Sequence, residues 1–321
     1  MKREDIDLIR KESPVLAGHL LGIDDHMLEH MTVYTPGDTE DSVYAKCKDM
    51  ADQIGAEQDP TLLIVDDDIW EPYWKSPVHR ESYEYADGVF CWKTKLITIK
   101  KSGFDEFVDD QARGSYHVAH ELGHATKENR KLLGRRKWLA AALGVTAGIT
   151  VFDTLQRSSD ASRERYEQKN GVGSYPFSRQ LIDSTFQSAG TIAAIWHTTS
   201  STLKSAKRQG EFLADKNAAK ALPAHVLAEG IMADIDDYLE RNNIDKEQYS
   251  QAMKLFEDEV KDRDLSKEAE AIARAIYQAD ALMAIDPPAL FRYAEYPTPP
   301  ERIKHLEKRG YLDEGKTDIS R

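Results

Sequence analysis

The sequence predicts an α+β fold that is predominantly helical, with a small sheet and a hydrophobic helical pair inserted into it. Two short apolar segments rich in β-branched and aromatic residues, 61–70 and 88–101, predict the strands. Amphipathic sequence over most of the remaining chain predicts helices. Two uncharged stretches, 138–152 and 184–203, predict the inserted pair.

The composition excludes some classes of partner. The chain has 321 residues, enough for a sizeable core, and a formal net charge of -13. This acidic balance disfavours sequence-independent binding of nucleic acid. It also disfavours anionic lipid headgroups as a partner of the chain as a whole, although local basic clusters escape that argument. We therefore expect no nucleic-acid partner.

The cysteines and the N-terminus both point to a reducing compartment. Cys47 and Cys91 lie far apart and form no C-x-x-C motif, so we expect two ordinary buried thiols. The N-terminal residues are dense in charge and lack an apolar core segment. We therefore expect no secretory signal, with the residues ahead of the hydrophobic insertion in the cytoplasm.

The chain divides by composition into four segments. They are a polar helical N-terminal segment, a segment with the sheet and its following helices, the hydrophobic insertion, and an acidic helical segment, at 1–60, 61–137, 138–203 and 204–321. Within the second segment we expect Gly103 to end the last strand. Helices are expected over 105–112 and 115–132, with Ser115 as N-cap of the second.

The hydrophobic insertion has two interpretations. Its first stretch is short for a membrane span of roughly 20 residues, and its second is rich in Ser and Thr. Both interpretations accommodate small residues, which suit tight helix packing. One is a pair of helices buried in a soluble protein. The other is a membrane hairpin whose basic ends, Arg135–Lys137 and Lys204–Arg208, remain cytoplasmic.

The sequence His-Glu-Leu-Gly-His at 120–124 suggests metal chemistry. His120 and His124 are four residues apart, so on a helix both imidazoles face one point and can bind one ion. Glu121 need not bind the metal and can take a proton from water as a general base. Gly123 is unfavourable inside a helix by up to about 1 kcal/mol, which indicates that something approaches the helix closely there.

Two other histidine patterns carry less weight. His117 lies on a face compatible with the motif, and we interpret it as a supporting or surface residue rather than a ligand. The segment His26–His30 fits the inverted motif H-x-x-E-H. No supporting feature follows it, and we interpret it as a solvated helix face.

A catalytic zinc site requires a third protein ligand. Downstream, Glu-Phe-Leu-Ala-Asp places Glu211 and Asp215 on one helix face. Glu211 can complete a His-His-Glu site and leave a fourth position for water. Asp215 can accept a hydrogen bond from a ligand histidine and fix its tautomer. Alone, this pattern is common on protein surfaces.

Together, the motifs "HELGH", "EFLAD" and "YPTPPERIKHL" resemble a zinc metallopeptidase family, that of the HtpX heat-shock proteases and the CAAX prenyl proteases. The resemblance spans roughly residues 116–306. It implies a zincin-like fold and one Zn²⁺ per chain, bound by His120, His124 and Glu211. It also implies protein or peptide substrates and hydrophobic helices between the motifs.

The closing motif also implies two residues that assist the tetrahedral intermediate. Arg302 matches the family arginine, whereas Tyr296 stands where the family has a histidine. A phenol can still donate a hydrogen bond to an oxyanion. The segment from Gly88 falls where the family has an active-site edge strand, which can bind a peptide as an added strand. The family's twin membrane helices ahead of the first motif have no counterpart in this sequence.

The leading hypothesis is a zinc-dependent metalloendopeptidase that is membrane-associated with a cytoplasmic active site, or cytoplasmic. Its catalytic residues are Glu121, Tyr296 and Arg302, with Asp215 supporting a ligand. His120, His124 and Glu211 can meet only if the insertion crosses a membrane an even number of times. A regulatory protease with one dedicated target, and a non-catalytic zinc-binding membrane scaffold, remain as alternatives.

Overall fold

The computed structural model describes residues 23, 25–35, 41–57, 59–70, 88–91, 96–261, 263, 265–285 and 296–313. Within these residues it is mostly helical and has a four-stranded sheet, which confirms the α+β class. The chain divides into two compact units. The first comprises Met1–Arg130, Gly210–Arg292 and Pro297–Arg321, and the second comprises Lys131–Gln209 and Tyr293–Tyr296.

The sheet combines predicted strands with one that was not predicted. Its strands are β1 (Met31–Tyr34), β2 (Thr61–Val65), β3 (Gly88–Cys91) and β4 (Leu96–Lys100), in the spatial order β1-β2-β4-β3. β2 is parallel to β4, and the two outer pairs are antiparallel. The central strands β2 and β4 are almost fully buried, as their unbroken apolar sequences predict. The prediction that residues 1–60 are helical throughout was wrong at β1. This strand is too short to be evident in the sequence, and its pairing with β2 stabilises it.

Two of the described helices precede β2 in the chain, and the others follow β4. The helices are α1 (Asp25–Glu29), α2 (Ser42–Ile54), α3 (Lys101–Val108), α4 (Ala112–His124), α5 (Lys127–Asn170), α6 (Phe177–Ala218), α7 (Ala224–Met232), α8 (Ile235–Arg241), α9 (Lys246–Val260), α10 (Lys267–Ile285) and α11 (Pro299–Lys308). The helical character predicted for the C-terminal segment is therefore confirmed across the part of it that is described.

Two local predictions around α3 and α4 were wrong. Gly103 lies inside α3, which begins directly after β4, so this glycine does not end the strand. Ser115 lies within α4, and Gln111 is the N-cap. A Cβ on Gly114 would collide with the α3 backbone, so the first turn of α4 approaches α3 at a distance that only glycine permits.

The predicted helix over 115–132 is in fact two helices. α4 ends at His124, and α5 begins at Lys127. Between them, Thr126 forms a β-bridge with Ala56, and the backbone N–H of Glu57 donates to the carbonyl of Ala125 at 3.2 Å. These long-range contacts hold the bend, and local sequence does not reveal them.

α4 lies at the centre of the first unit. Nine of its thirteen residues are buried, so its polar side chains are held inside the protein rather than on a solvated face. Leu122 packs into a core that includes Leu62, Ile97 and Leu227. Cys47 belongs to the same core, where burial raises the pKa of its thiol to about 12, as expected of an inert buried thiol. The side chain of Cys91 lies outside the described part of the chain.

α4 and α6 cross at Gly123. A Cβ on this glycine would lie 2.5 Å from the carbonyl oxygen of Ala214 and 2.9 Å from its Cα, inside normal contact distance. The close approach inferred from the sequence is therefore present. It brings the α6 backbone onto the face of α4 that carries the histidine motif.

The second unit contains a long antiparallel pair formed by most of α5 and α6. Gly144 and Gly148 face Thr199 and Ile195, where added Cβ atoms would collide. Farther along, the hydroxyl of Tyr175 donates to Asp183 at 2.6 Å. Small residues therefore bring the two helices together along their inner faces.

The outer faces of this pair are apolar and exposed. Trp138 is 82% exposed, Ile149 65% and Trp196 71%. Within this single chain the two helices are therefore mostly exposed on their outer faces rather than buried. Among the described residues, α5 is the one helix with an 18-residue stretch long and apolar enough to cross a membrane, and only 17% of that stretch is buried.

Two matched substitutions test the helix crossing at Gly123. We expect Gly123→Ala to lower the free energy of unfolding by roughly 1–3 kcal/mol, because the methyl group must displace the α6 backbone. Gly134→Ala is the control, since no atom lies within 4 Å of its Cβ position on α5. It should stabilise by up to about 1 kcal/mol through helix propensity. Equal effects of the two substitutions in denaturant titrations would contradict the crossing.

Candidate metal centre

Three side chains predicted as ligands meet in the first unit. His120 and His124 lie on α4, and Glu211 lies 91 residues beyond His120, on α6. Their ligand atoms all lie within 4.8 Å of one another. Glu211 Oε2 is 3.1 Å from His120 Nε2, Glu211 Oε1 is 3.5 Å from His124 Nε2, and the two Nε2 atoms are 3.1 Å apart.

This group is suited to holding a metal ion. Its side chains are only 9–15% exposed, so solvent screens the carboxylate poorly. Two imidazole nitrogens and a carboxylate oxygen converge on one point, as catalytic divalent-metal sites require, and three protein ligands leave a position for water. The donor set therefore fits the metal that the motifs imply.

Asp215 lies directly behind His120. Its side chain is completely buried, and its Oδ1 accepts hydrogen bonds from His120 Nδ1 at 2.9 Å and from the Tyr116 hydroxyl at 3.0 Å. The bond to Nδ1 leaves His120 Nε2 directed at Glu211. The structure thus places Asp215 where the sequence predicted it, against a ligand histidine.

Arg302, near the start of α11, closes this cluster. Its Nε donates to Asp215 Oδ2 at 2.8 Å and its Nη2 to Oδ1 at 2.5 Å, a two-pronged ion pair. The same Nη2 lies 2.8 Å from His120 Nδ1, and the guanidinium carbon lies 5.4 Å from the Tyr116 ring centroid. The contacts of Arg302 therefore hold Asp215 and His120 in place. The sequence did not predict this role for Arg302.

The charges of the cluster shift its pKa values. Burial opposes ionisation of Asp215 and Glu211, but their partners outweigh it. Arg302, above all, lowers the pKa of Asp215, and His124 and His120 lower that of Glu211. For His120, burial and the charge of Arg302 oppose protonation. The hydrogen bonds to Asp215 and Glu211 prevail and raise the pKa of His120 to about 9.

Glu121 follows His120 in α4, and its side chain is nearly buried. It is 8% exposed, and within the described part of the chain its carboxylate has no hydrogen bond or ion pair. A Cβ on Gly88 would lie 3.1 Å from Glu121 Cγ, so the edge strand β3 passes close to this side chain. Glycine at position 88 thereby leaves room for the glutamate.

Two further residues of the site were missed by the sequence analysis. Tyr116, which binds Asp215, is four residues before His120, so helical spacing could have indicated it. Asn129 is completely buried, and its Nδ2 lies 3.0 Å from His124 Nδ1. No local pattern distinguishes Asn129, because its contact depends on the bend between α4 and α5.

Other predicted residues lie elsewhere. Tyr296 is 39% exposed and belongs to the second unit, whereas the three ligands and Arg302 belong to the first, so its role remains a prediction. His117 approaches Asp234 at 3.8 Å and is not part of the ligand group. His30 forms a more exposed group with Asp66 and Asp68, and its Nδ1 lies 3.1 Å from Asp66 Oδ2.

Comparison with known proteins adds no relative. No family model, curated protein or solved structure matches the chain.

The raised pKa of His120 makes metal affinity depend on pH. In the metal-free protein His120 is protonated below pH 9, and this proton must leave before Nε2 can bind an ion. We expect the affinity for Zn²⁺ to rise about tenfold per pH unit from pH 6.5 to 8.5 and to level off above pH 9. Competition with a chelator of known proton and zinc affinities measures this. An affinity independent of pH over that range would contradict it.

Proposed function

We propose that the protein is a zinc-dependent metalloendopeptidase with a zincin-like fold, related to the HtpX and CAAX prenyl proteases. The observation that carries the proposal is the convergence of His120, His124 and Glu211, with the buried Glu121, which has no ion pair among the described residues, next to His120 in α4. Residues distant in the sequence come together in the arrangement that three separate motifs predict.

The donor set favours zinc. Zn²⁺ accepts imidazole and carboxylate ligands in a four-coordinate site, whereas Mg²⁺ and Ca²⁺ prefer oxygen ligands alone. When bound, zinc would polarise a peptide carbonyl and lower the pKa of water to about 7. The remaining chemistry is carried by side chains of this chain.

Glu121 is the proposed general base. Its carboxylate takes a proton from the attacking water as the water oxygen bonds to the peptide carbon. It then delivers that proton to the amide nitrogen as the carbon–nitrogen bond breaks. A carboxylate without an internal partner can do this, because no ion pair has to be broken first.

The other cluster residues hold or supplement this machinery. Asp215, fixed by Arg302 and Tyr116, keeps His120 Nε2 pointed at the metal position. The family resemblance further assigns Arg302 and Tyr296 to stabilising the oxyanion of the tetrahedral intermediate. The guanidinium beside His120 is consistent with that role for Arg302.

The edge strand favours a polypeptide substrate. β3 pairs with β4 on one side, and among the described strands it has no neighbour on the other. An extended peptide can add to such an edge through main-chain hydrogen bonds. The closeness of Gly88 to Glu121 would then bring a scissile bond to the catalytic carboxylate.

The helical pair is proposed as a membrane hairpin. Its exposed apolar residues would face lipid, and Thr191 and Thr202 donate to carbonyls of their own helix, which satisfies their hydroxyls without water. The ends of the pair that adjoin the HELGH and EFLAD motifs carry only basic charges, with no acid over 129–152 or 184–210. The far end of the pair, 153–183, carries charges of both signs. This bias supports the proposal of a cytoplasmic active site and of a role in quality control of membrane proteins.

A non-catalytic zinc-binding membrane scaffold is the second candidate. The observation in its favour is Tyr296, which replaces the histidine expected from the resemblance. A regulatory protease with a single protein target is also compatible with the metal centre. The scaffold would bind zinc without turnover, and the regulatory protease would cleave only its own target.

Substitution of Glu121 separates metal binding from catalysis. We expect Glu121→Gln to retain one zinc per chain and to lower the cleavage of casein at least about 100-fold, because the amide cannot accept the proton. Glu128→Gln is the matched control, since this exposed residue on α5 lies outside the ligand group. Zinc content by elemental analysis and peptide release measure the two effects. Undiminished cleavage by the Glu121 variant would refute the base assignment.

Fractionation tests the hairpin. We expect the protein to stay in the membrane pellet through an alkaline carbonate wash, because an inserted apolar hairpin is not held by charge. Replacing Leu139, Leu143 and Ile149 together by Gln should shift it to the soluble fraction, whereas Val172→Gln, in the turn between the helices, should not. Release of the unaltered protein by carbonate would rule out insertion.

A further inference from the structure

Asn129 forms the outer contact of His124. It lies in the first turn of α5 and is completely buried. Its Nδ2 lies 3.0 Å from His124 Nδ1 and donates to the carbonyl of Gly210 at 3.2 Å. Its Oδ1 is buried and has no hydrogen-bond partner within the described part of the chain. One end of this amide is therefore satisfied, and the other is not.

Metal binding reverses the hydrogen-bonding needs of His124. In a neutral imidazole one nitrogen carries the proton and the other accepts. With an ion on Nε2, the proton lies on Nδ1, which then requires an acceptor. An amide NH₂ facing that N–H would oppose donor to donor. His120 already has an acceptor at its Nδ1, the carboxylate of Asp215.

The unpartnered oxygen of Asn129 can meet this requirement. The two ends of the side-chain amide are similar in size, so a half-turn about the Cβ–Cγ bond exchanges them within the same space. The turn brings Oδ1 to His124 Nδ1 and takes Nδ2 away from the Gly210 carbonyl, so the side chain must also shift slightly to keep its oxygen off that carbonyl oxygen. Because Gly210 directly precedes Glu211 on α6, the exchange occurs next to the third ligand.

We propose that Asn129 is the positioning residue of His124: its NH₂ holds the metal-free tautomer, and its oxygen accepts the Nδ1–H when Nε2 binds the ion. This inference rests on the proposed zinc site but not on catalysis. The two histidines then differ in their support. A carboxylate holds His120, and a neutral amide holds His124, so the amide adds no further negative charge to the site.

Zinc affinity of the full chain tests the proposal. We expect Asn129→Ala to weaken Zn²⁺ binding on the order of 10- to 100-fold in chelator competition, as loss of a ligand's hydrogen-bond partner does. Asn129→Asp, which can only accept, should bind at least as tightly as the unaltered protein. The Asp variant thereby retains the zinc affinity that the Ala variant loses. If Asn129 only filled space in the core, a buried carboxylate in its place would not preserve that affinity.

Asn217 provides the matched control. It lies on α6, is equally buried, and donates to the carbonyl of Gly123 and to Thr126 Oγ1 in the bend, rather than to a histidine ring. Asn217→Ala should lower the melting temperature with a smaller loss of zinc affinity. If both alanine variants weaken zinc binding equally, or if Asn129→Ala binds within twofold of the unaltered protein, the proposal is overturned.

Nitrogen NMR of ¹⁵N-histidine-labelled protein gives a second readout that does not need turnover. We expect the two metal-free proteins to differ in the His124 tautomer, with more of the proton on Nδ1 in Asn129→Asp than in the unaltered chain. The same tautomer in both proteins would overturn the proposal even if folding is unchanged. Failure of the unaltered chain to bind zinc would overturn the zinc site as well, whereas zinc binding that is insensitive to Asn129 would overturn this inference alone.

Discussion

The buried carboxylate of Asp215 is the interaction on which the rest of the site depends. It accepts hydrogen bonds from Tyr116 and His120 on α4 and from Arg302 on α11, while itself belonging to α6. An unpaired charge at such a position would cost several kcal/mol, and the two-pronged bond from Arg302 offsets that cost. One side chain thus holds three helices in a single arrangement and fixes the direction of the first ligand.

Much of the site could be predicted because its motifs are local. Helical spacing alone puts His120 and His124 on one face, and Glu211 and Asp215 on another. The two pairs of residues meet because α4 and α6 cross. Gly123 indicates in the sequence that some element approaches α4 closely, but it does not indicate which one. Tyr116 and Asn129 were missed because their roles arise from contacts across the fold. The orientation of Arg302 toward Asp215 is likewise a property of packing.

In the fold, too, locally encoded elements could be predicted and elements that depend on distant contacts could not. β2, β3 and β4 lie within the segments predicted from apolar, β-branched sequence, and the burial of β2 and β4 on both faces requires such residues. β1 and the bend after His124 depend on pairing partners distant in the chain, so neither has a local signal. For the hydrophobic pair, sequence could not separate burial in protein from exposure to lipid. In the described part of the single chain, the outer faces of the pair are exposed.

X-ray absorption at the zinc edge of the purified full-length chain tests the central claim most directly. The account predicts one zinc per chain in a shell of nitrogen and oxygen at about 2.0–2.1 Å, with the scattering of two imidazoles. In Glu211→Gln that shell should lose its carboxylate oxygen or the zinc itself. A sulfur shell at about 2.3 Å, or a spectrum unchanged by this substitution, would contradict the account.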